Sequence, residues 1–181
     1  MRKESIRSHL RPYSIFQKRR TTVNHAFASA LAPCSEYDEQ MLTSALLFLG
    51  QDPSRDLKCV YCDNPATTWD HLVGLVEKSE LRGFGHQIGN LVPSCQPCNS
   101  RKGSRDWRTF VESVVDDPRL RQQRIALLNR YVLRFAQPID LDRLQAAAPD
   151  LWREYCAIKS TIFDLMRRAD EIAKQLREYA I

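Results

Sequence analysis

The sequence predicts an α+β fold in which a small, cysteine-stapled core is embedded in a mainly α-helical surround. Two Cys-x-x-Cys pairs frame a stretch between residues 59 and 98 that is rich in β-branched residues and glycine. On both sides of this frame, apolar residues recur at the three- and four-residue spacing of amphipathic helices. A hydrophobic content of 43% beside 27% charged residues is typical of a globular chain. The 181 residues suffice for one domain, or for a small domain with helical additions.

The N-terminal region, residues 1–57, is predicted to form two helices with a basic arm. Apolar residues at helical spacing indicate a first helix over residues 14–31. A second helix follows over residues 35–49. Ser35 is its expected N-cap and Asp38 takes the capping-box position, where glutamate or glutamine is more usual.

The central region, residues 58–104, carries four cysteines that favour a structural zinc site. Two residues between paired cysteines form a tight knuckle that directs both sulfurs at one ion, so two such pairs suit tetrahedral zinc. The alternative is two disulfides or two buried thiol clusters. The predicted ligands are Cys59, Cys62, Cys95 and Cys98.

Polar residues inside this frame carry the second signal. Asp70 precedes His71, and an oxygen-ligand pair such as Asp70 and Asn99 suits a hard cation, typically magnesium or manganese. An imidazole can take a proton from water because its pKa lies near neutrality. Taken alone, these residues would be a turn aspartate, a core histidine and two capping asparagines, including Asn90; their place beside the cysteines favours catalysis. His86 is ambiguous: a loop position near the substrate, or a structural contact, is favoured over catalysis.

The stretch from Cys59 to Gly103 resembles the HNH endonucleases, specifically the four-cysteine ββα-metal type. The matching run is C-x2-C, then WDH, then GNLVPSC-x2-CNSRKG, about a quarter of the chain. The resemblance implies a ββα-metal core that hydrolyses DNA phosphodiester bonds and leaves 5′-phosphate and 3′-hydroxyl ends. It suggests a prokaryotic restriction-type or defence nuclease. The alternatives are a partner-activated nuclease effector and a non-catalytic zinc module that binds nucleic acid.

The same resemblance implies a role for each polar residue. His71 is the expected general base, and Asn90 holds the histidine-bearing loop by hydrogen bonding. Asp70 and Asn99 are the expected ligands of the catalytic Mg²⁺ or Mn²⁺. Many members of the family have histidine where this chain has Asn99.

The charge distribution favours a nucleic-acid partner. The formal net charge is +5, and residues 1–20 hold seven Lys or Arg residues against one Glu. That first group is either a DNA-binding arm or the polar face of a helix. The second group abuts the proposed active site, where phosphate binding is favoured over a solvated basic face. Its members are Arg101, Lys102, Arg105 and Arg108.

No feature of the sequence predicts export or membrane insertion. No run approaches the roughly 18 apolar residues that span a bilayer. The first 20 residues lack the apolar core of a secretory signal. Zinc-type thiol pairs beside unpaired cysteines fit a reducing compartment, so a cytoplasmic location is expected.

The C-terminal region, residues 105–181, is predicted to be helical throughout. Its last helix, residues 151–179, carries apolar residues that alternate by four and three, which is the seam of a coiled coil. Either this helix packs across the protein's own core, or it pairs two chains in a homodimer with Ile162 and Leu165 near the contact. The seam consists of Leu151, Tyr155, Ile158, Ile162, Leu165, Ala169, Ile172, Leu176 and Tyr179.

Overall fold

The structure, a computed structural model, describes residues 3–77 and 80–180, and in these ranges it contains seven α-helices and four short strands. The helices are α1 (Ile15–Leu31), α2 (Glu39–Phe48), α3 (Gln96–Lys102), α4 (Trp107–Val114), α5 (Pro118–Phe135), α6 (Leu141–Ala147) and α7 (Pro149–Glu178). The strands are β1 (Thr68–His71), β2 (Val76–Glu77), β3 (Glu80–Leu81) and β4 (Leu91–Ser94), and a 3₁₀ helix spans Lys3–Ser8. Arg2, part of the predicted basic arm, lies outside the described residues.

Residues 28–143 form one compact unit, and the chain before and after them forms a second. In the first unit, β1 pairs antiparallel with β4. The short helix α3 follows β4 directly and packs against β1. Gly103 ends α3 with a φ of 49°, a conformation that glycine adopts without strain. The predicted α+β fold with a ββα core is therefore confirmed, while the division at residues 57 and 104 stays a prediction.

The hydrophobic core of this unit joins the ββα element to the helices that follow it. Tyr61, from the first cysteine knuckle, packs edge-to-face on Phe110 of α4 with ring centroids 5.2 Å apart. Both rings are fully buried, as is Leu128 of α5. Because burial of large apolar side chains stabilises a fold by about 1.5–3 kcal/mol each, α4 and α5 contribute strongly to the stability of the core.

The start of α2 differs from the prediction. The N-cap is Asp38, whose Oδ1 accepts a hydrogen bond from the Met41 amide at 2.9 Å. Ser35 does not cap a helix because its amide donates to the carbonyl of His86 at 3.0 Å, which holds this segment extended. The tertiary contact with the loop before β4 thus delays the helix by one turn.

The loop that carries His86 approaches its neighbours closely. At Gly85, a Cβ atom would lie 2.0 Å from the carbonyl oxygen of Pro33. The His86 amide donates to that same carbonyl at 2.8 Å. Gly85 therefore permits this packing. Gly89, on the other side of His86, has a φ of +103° and permits a second close approach, to the backbone of Phe135.

In the second unit, α7 packs antiparallel to the first part of α1. The rings of Phe16 and Phe163 lie 5.7 Å apart, and the Tyr155 hydroxyl donates to the carbonyl of Phe27 at 2.9 Å. Asp170 caps the start of α1 by accepting hydrogen bonds from Ser14 Oγ and the Ile15 amide, each at 2.7 Å. These bonds lower the pKa of Asp170.

The predicted heptad seam of α7 divides between two environments. Ile162 and Tyr155 are half-buried. Every seventh residue from 151 to 179 is instead exposed, and none of the described residues of α7 is fully buried. These exposed residues are Leu151, Ile158, Leu165, Ile172 and Tyr179. Packing on α1 therefore uses only part of the apolar stripe.

Across residues 3–77 and 80–180, no helix combines the length and the apolar character that a bilayer-spanning segment requires.

Candidate active site

The four predicted zinc ligands converge on one point. Their sulfur atoms all lie within 4.8 Å of one another, and the sulfurs of Cys62 and Cys95 are 3.6 Å apart. Tetrahedral zinc with sulfur ligands at 2.3 Å sets its ligands roughly 3.8 Å apart, so the cluster fits this ion. The cluster comprises Cys59, Cys62, Cys95 and Cys98.

The cysteines are electrostatically suited to a cation. Burial, followed by hydrogen bonding to Cys62 and Cys95, raises the pKa of the Cys98 thiol. Four thiolates so close together repel one another, and a bound divalent ion would offset that repulsion. Arg124 of α5 supports the first knuckle, because its guanidinium donates to the carbonyl of Tyr61 and pairs with the Asp63 carboxylate at 2.5 Å.

The predicted base lies at the end of β1, in contact with a second histidine. His71 Nε2 is 2.9 Å from Nδ1 of His86, and the two rings meet edge-to-face. Both side chains are half-buried. When the proton of this contact resides on His71 Nε2, the Nδ1 atom of His71 carries the free lone pair. That tautomer presents an acceptor that water can use.

The environment of His71 keeps its imidazole neutral. Burial lowers its pKa below that of an ordinary histidine, and the neighbouring His86 lowers it further. The Asp70 carboxylate acts in the opposite direction, and Lys102 adds a smaller lowering effect. A histidine with a lowered pKa is unprotonated at neutral pH, which a general base requires.

Asn90 ties the segment after His71 to the loop that bears His86. Its side-chain oxygen accepts from the Val73 amide at 2.8 Å, and its nitrogen donates to the carbonyls of Val73 and Gly85, each at 3.0 Å. The residue is fully buried with all three bonds made. This is the geometry that the predicted positioning role requires.

Asp70 lies in a buried ion pair. Its side chain is 7% exposed, and its Oδ2 lies 3.1 Å from Nζ of Lys102, whose side chain is 2% exposed. The same oxygen accepts from the Tyr61 hydroxyl at 2.7 Å. Lys102 also donates to the carbonyl of His71 at 2.7 Å. The ion pair therefore fixes β1 to the last turn of α3, next to His71, the predicted base.

This ion pair bears on the predicted hard-cation site. A metal ion on Asp70 would compete with the Lys102 ammonium for one buried carboxylate, so Asp70 does not fit the role of a free ligand in this arrangement. Asn99 is half-buried on α3, and its amide nitrogen lies 3.4 Å from the carbonyl of Trp69. Its oxygen is left as the available ligand atom.

The predicted basic surface loses one member. Lys102 was expected beside the arginines on a phosphate-binding face, but its ammonium is buried against Asp70. It faces inward because α3 presents this position to β1. Arg101, Arg105 and Arg108 are exposed, although Arg108 also donates to Asn129 at 2.6 Å.

Replacing Lys102 by methionine should strongly destabilise the protein. Removal of one partner leaves the Asp70 carboxylate buried and unpaired, which costs about 3–5 kcal/mol of unfolding free energy. Arg101→Met, on the exposed face of the same helix, should change stability by less than about 0.5 kcal/mol. Urea denaturation measures both. Adding Asp70→Asn to Lys102→Met should recover part of the lost unfolding free energy. If Lys102→Met is as stable as the parent protein, the ion pair contributes nothing to stability.

The paired strands, the helix that follows them and the four-cysteine cluster define a zinc-finger-like ββα element with a histidine at the end of its first strand. Residues 59–105 match the family model described as HNH endonuclease, so this segment is similar to the domain of that family. No curated protein and no solved structure matched the chain.

Three residues of this site were not identified as such from the sequence. His86 was expected to make a loop or structural contact, and its partner proves to be His71. Tyr61 gave no signal, and Lys102 was assigned to the basic surface, because the role of both depends on the fold bringing them to Asp70. The only sequence pattern near His86 is the pair of glycines on either side of it, and these permit its loop to pack closely.

Proposed function

We propose that the protein is an HNH endonuclease that hydrolyses DNA phosphodiester bonds. The observation that carries this proposal is the pairing of His71 Nε2 with His86 in a site where the pKa of His71 is lowered. A half-buried, neutral imidazole with one nitrogen engaged and the other free is suited to accept a proton from water.

In the proposed reaction, His71 accepts the proton of the attacking water at Nδ1. The resulting imidazolium donates from Nε2 to His86, which stabilises the charge as the water oxygen attacks phosphorus. Asn90 and Lys102 hold His71 in position, the first through the Val73 backbone and the second through the His71 carbonyl. The bond from phosphorus to the 3′ oxygen breaks opposite the attacking water, and the leaving oxygen takes a proton from solvent to give the 3′-hydroxyl end.

The expected cofactors are a structural zinc on the four cysteines and a catalytic Mg²⁺ or Mn²⁺. The family resemblance assigns the second ion to Asp70 and Asn99, and binding there requires Asp70 to release Lys102. When bound, such an ion supplies charge stabilisation to the phosphate and leaving group. Dependence of cleavage on these ions, compared with a chelator control, tests this part of the proposal.

The proposed substrate is DNA held by its phosphates. Arg101 is exposed on α3, the helix that also carries Asn99, and Arg105 is exposed just after this helix ends. Arginines at this place neutralise phosphates without reading sequence. We place the activity in the cytoplasm of a prokaryote, as a restriction-type or defence nuclease; a partner-activated effector is the second candidate, because α7 leaves an apolar face exposed.

The purified protein, incubated with plasmid DNA and either Mg²⁺ or Mn²⁺, tests the proposal directly. Conversion to nicked or linear products, with 5′-phosphate ends on sequencing, is the expected result. Absence of cleavage under all ion conditions would favour the partner-activated effector or the non-catalytic zinc module. Tight binding of DNA without cleavage would single out the zinc module.

We further propose that the exposed stripe of α7 pairs two copies of the chain. Its apolar residues recur every seven positions, which is the repeat of a coiled coil, and a two-fold dimer would offer one active site to each strand. Leu165→Asp should give a folded monomer, since this side chain is 64% exposed, whereas Ile162→Asp should destabilise the fold, since Ile162 is half-buried. Light scattering separates these outcomes, and a monomeric parent protein, free and on DNA, would exclude the dimer.

A further inference from the structure

An aromatic cleft opens beside the paired histidines, within the unit of residues 28–143. It has a volume of about 300 Å³, and its walls include Trp69, His86, Leu91 and Tyr37, with Glu36 beside Tyr37. This volume lies at the lower end of the range of roughly 300–1,000 Å³ found for small-molecule sites. The cleft therefore has room for one small, flat group next to the proposed base.

Trp69 is placed to act together with His71. Side chains alternate along a strand, so Trp69 and His71 project from the same face of β1, while Asp70 between them projects into the core. Two residues span roughly 7 Å of strand. Large aromatic rings contribute more to stability when they are buried. Trp69 is nonetheless 44% exposed, and Tyr37 is 79% exposed.

The wall of the cleft that includes Tyr37 is joined to the loop that bears His86. The Ser35 amide donates to the carbonyl of His86 at 3.0 Å, and the His86 amide donates to the carbonyl of Pro33 at 2.8 Å. Gly85 allows the two segments to touch, because a Cβ atom there would lie 2.7 Å from Pro33 Cδ. These backbone contacts fix the segment before Tyr37 against the loop that bears His86.

We propose that this cleft binds one unstacked nucleobase of the substrate, next to the phosphate that His71 attacks. The inference rests on the proposed function and names its substrate class, namely DNA with an unpaired base. A base stacks on aromatic rings whatever its identity, and the Glu36 carboxylate can accept hydrogen bonds from exocyclic amino groups.

The charge around the cleft favours a base over a phosphate as the occupant. Glu36 would repel a phosphate at the rim of the cleft, whereas the exposed Arg101 and Arg105 supply phosphate contacts on and after α3. A base in continuous duplex cannot enter the cleft without leaving its stack. Single-stranded or mismatched DNA therefore binds more tightly than perfect duplex.

The test measures binding in the His71→Ala background, so that no substrate is consumed. The probes are a short fluorescently labelled single-stranded oligodeoxynucleotide and an abasic strand of the same length and charge. Trp69→Ala should weaken binding of the base-bearing strand about tenfold and leave the abasic strand unchanged. Trp69→Phe should retain most of the affinity, because a smaller ring still stacks. Tyr37→Ala should also weaken binding of the base-bearing strand, and it replaces Trp69→Ala in the test if Trp69→Ala fails to fold.

Two control variants separate base stacking from other effects. Arg101→Ala should weaken both strands by a similar factor, because it contacts phosphate alone. Tyr13→Ala, an aromatic residue that is 55% exposed in the other unit, should change neither.

Two results would overturn the proposal. In the first, Trp69→Ala and Tyr37→Ala bind the base-bearing strand as tightly as the His71→Ala background does. In the second, they lose affinity equally for the base-bearing and abasic strands. Failure of the nuclease proposal is a separate outcome. If the parent protein binds the base-bearing strand through Trp69 but never cleaves DNA, the proposal for the cleft stands and only the nuclease proposal is wrong.

Discussion

Cys95→Ala should remove the bound zinc and unfold the unit of residues 28–143. The cluster supplies four thiolates that repel one another without a cation, and zinc binding contributes about 10–16 kcal/mol to folding in zinc-finger peptides. A small domain has a net stability of only about 5–15 kcal/mol, so loss of the ion exceeds what the remaining core can offset. Metal analysis should give one zinc per chain in the parent protein, and circular dichroism should show the loss of cooperative melting in the variant.

Cys34→Ala is the matched control, because Cys34 is an exposed free cysteine outside the cluster. It should leave both the zinc content and the melting curve unchanged. A Cys95→Ala protein that melts like the parent and contains no zinc would reject the assignment of the site.

His71→Ala should reduce DNA cleavage by about 10²- to 10⁴-fold, with little change in DNA affinity. The imidazole acts only when the proton of water is removed, so its loss raises the barrier of the chemical step without removing phosphate contacts. The fold should persist, because the Lys102 bond to this position is made with the backbone carbonyl of His71 and survives the substitution. Single-turnover cleavage rates, measured beside binding by anisotropy, separate the two effects.

His25→Ala provides the comparison, since His25 is an exposed histidine on α1. Its cleavage rate should equal that of the parent protein. If His71→Ala cuts DNA at the parent rate, the proposed base is wrong, and the segment of residues 59–105 uses another group or serves only to bind nucleic acid.

The cysteine cluster was predictable because its signal is local, and the ββα element was expected from the resemblance to the HNH endonucleases. Each Cys-x-x-Cys knuckle is set by two intervening residues, and the pair of knuckles requires a common ion. Helical spacing likewise predicted α1 and α7 to within a few residues.

The details of the candidate site depend on contacts between residues far apart in the chain. Lys102 is a basic residue in a run of basic residues, and only the packing of α3 on β1 turns its ammonium toward Asp70. His86 meets His71 because Asn90 and Gly85 fold the loop back. Periodicity and composition describe neighbours along the chain, and they do not predict contacts between residues that are far apart in sequence.

The amino-acid sequence alone therefore establishes the chemistry available to this protein, namely four thiolates, an Asp-His pair, two asparagines and a basic surface. The packing of helices and strands sets how those groups are used. It placed Asp70 in an ion pair with Lys102, gave His71 a histidine partner and opened an aromatic cleft beside them. It also showed that α7 buries only part of its apolar stripe on α1. The physical reason is that side-chain burial and charge pairing depend on which elements pack together, and that packing is a property of the whole fold.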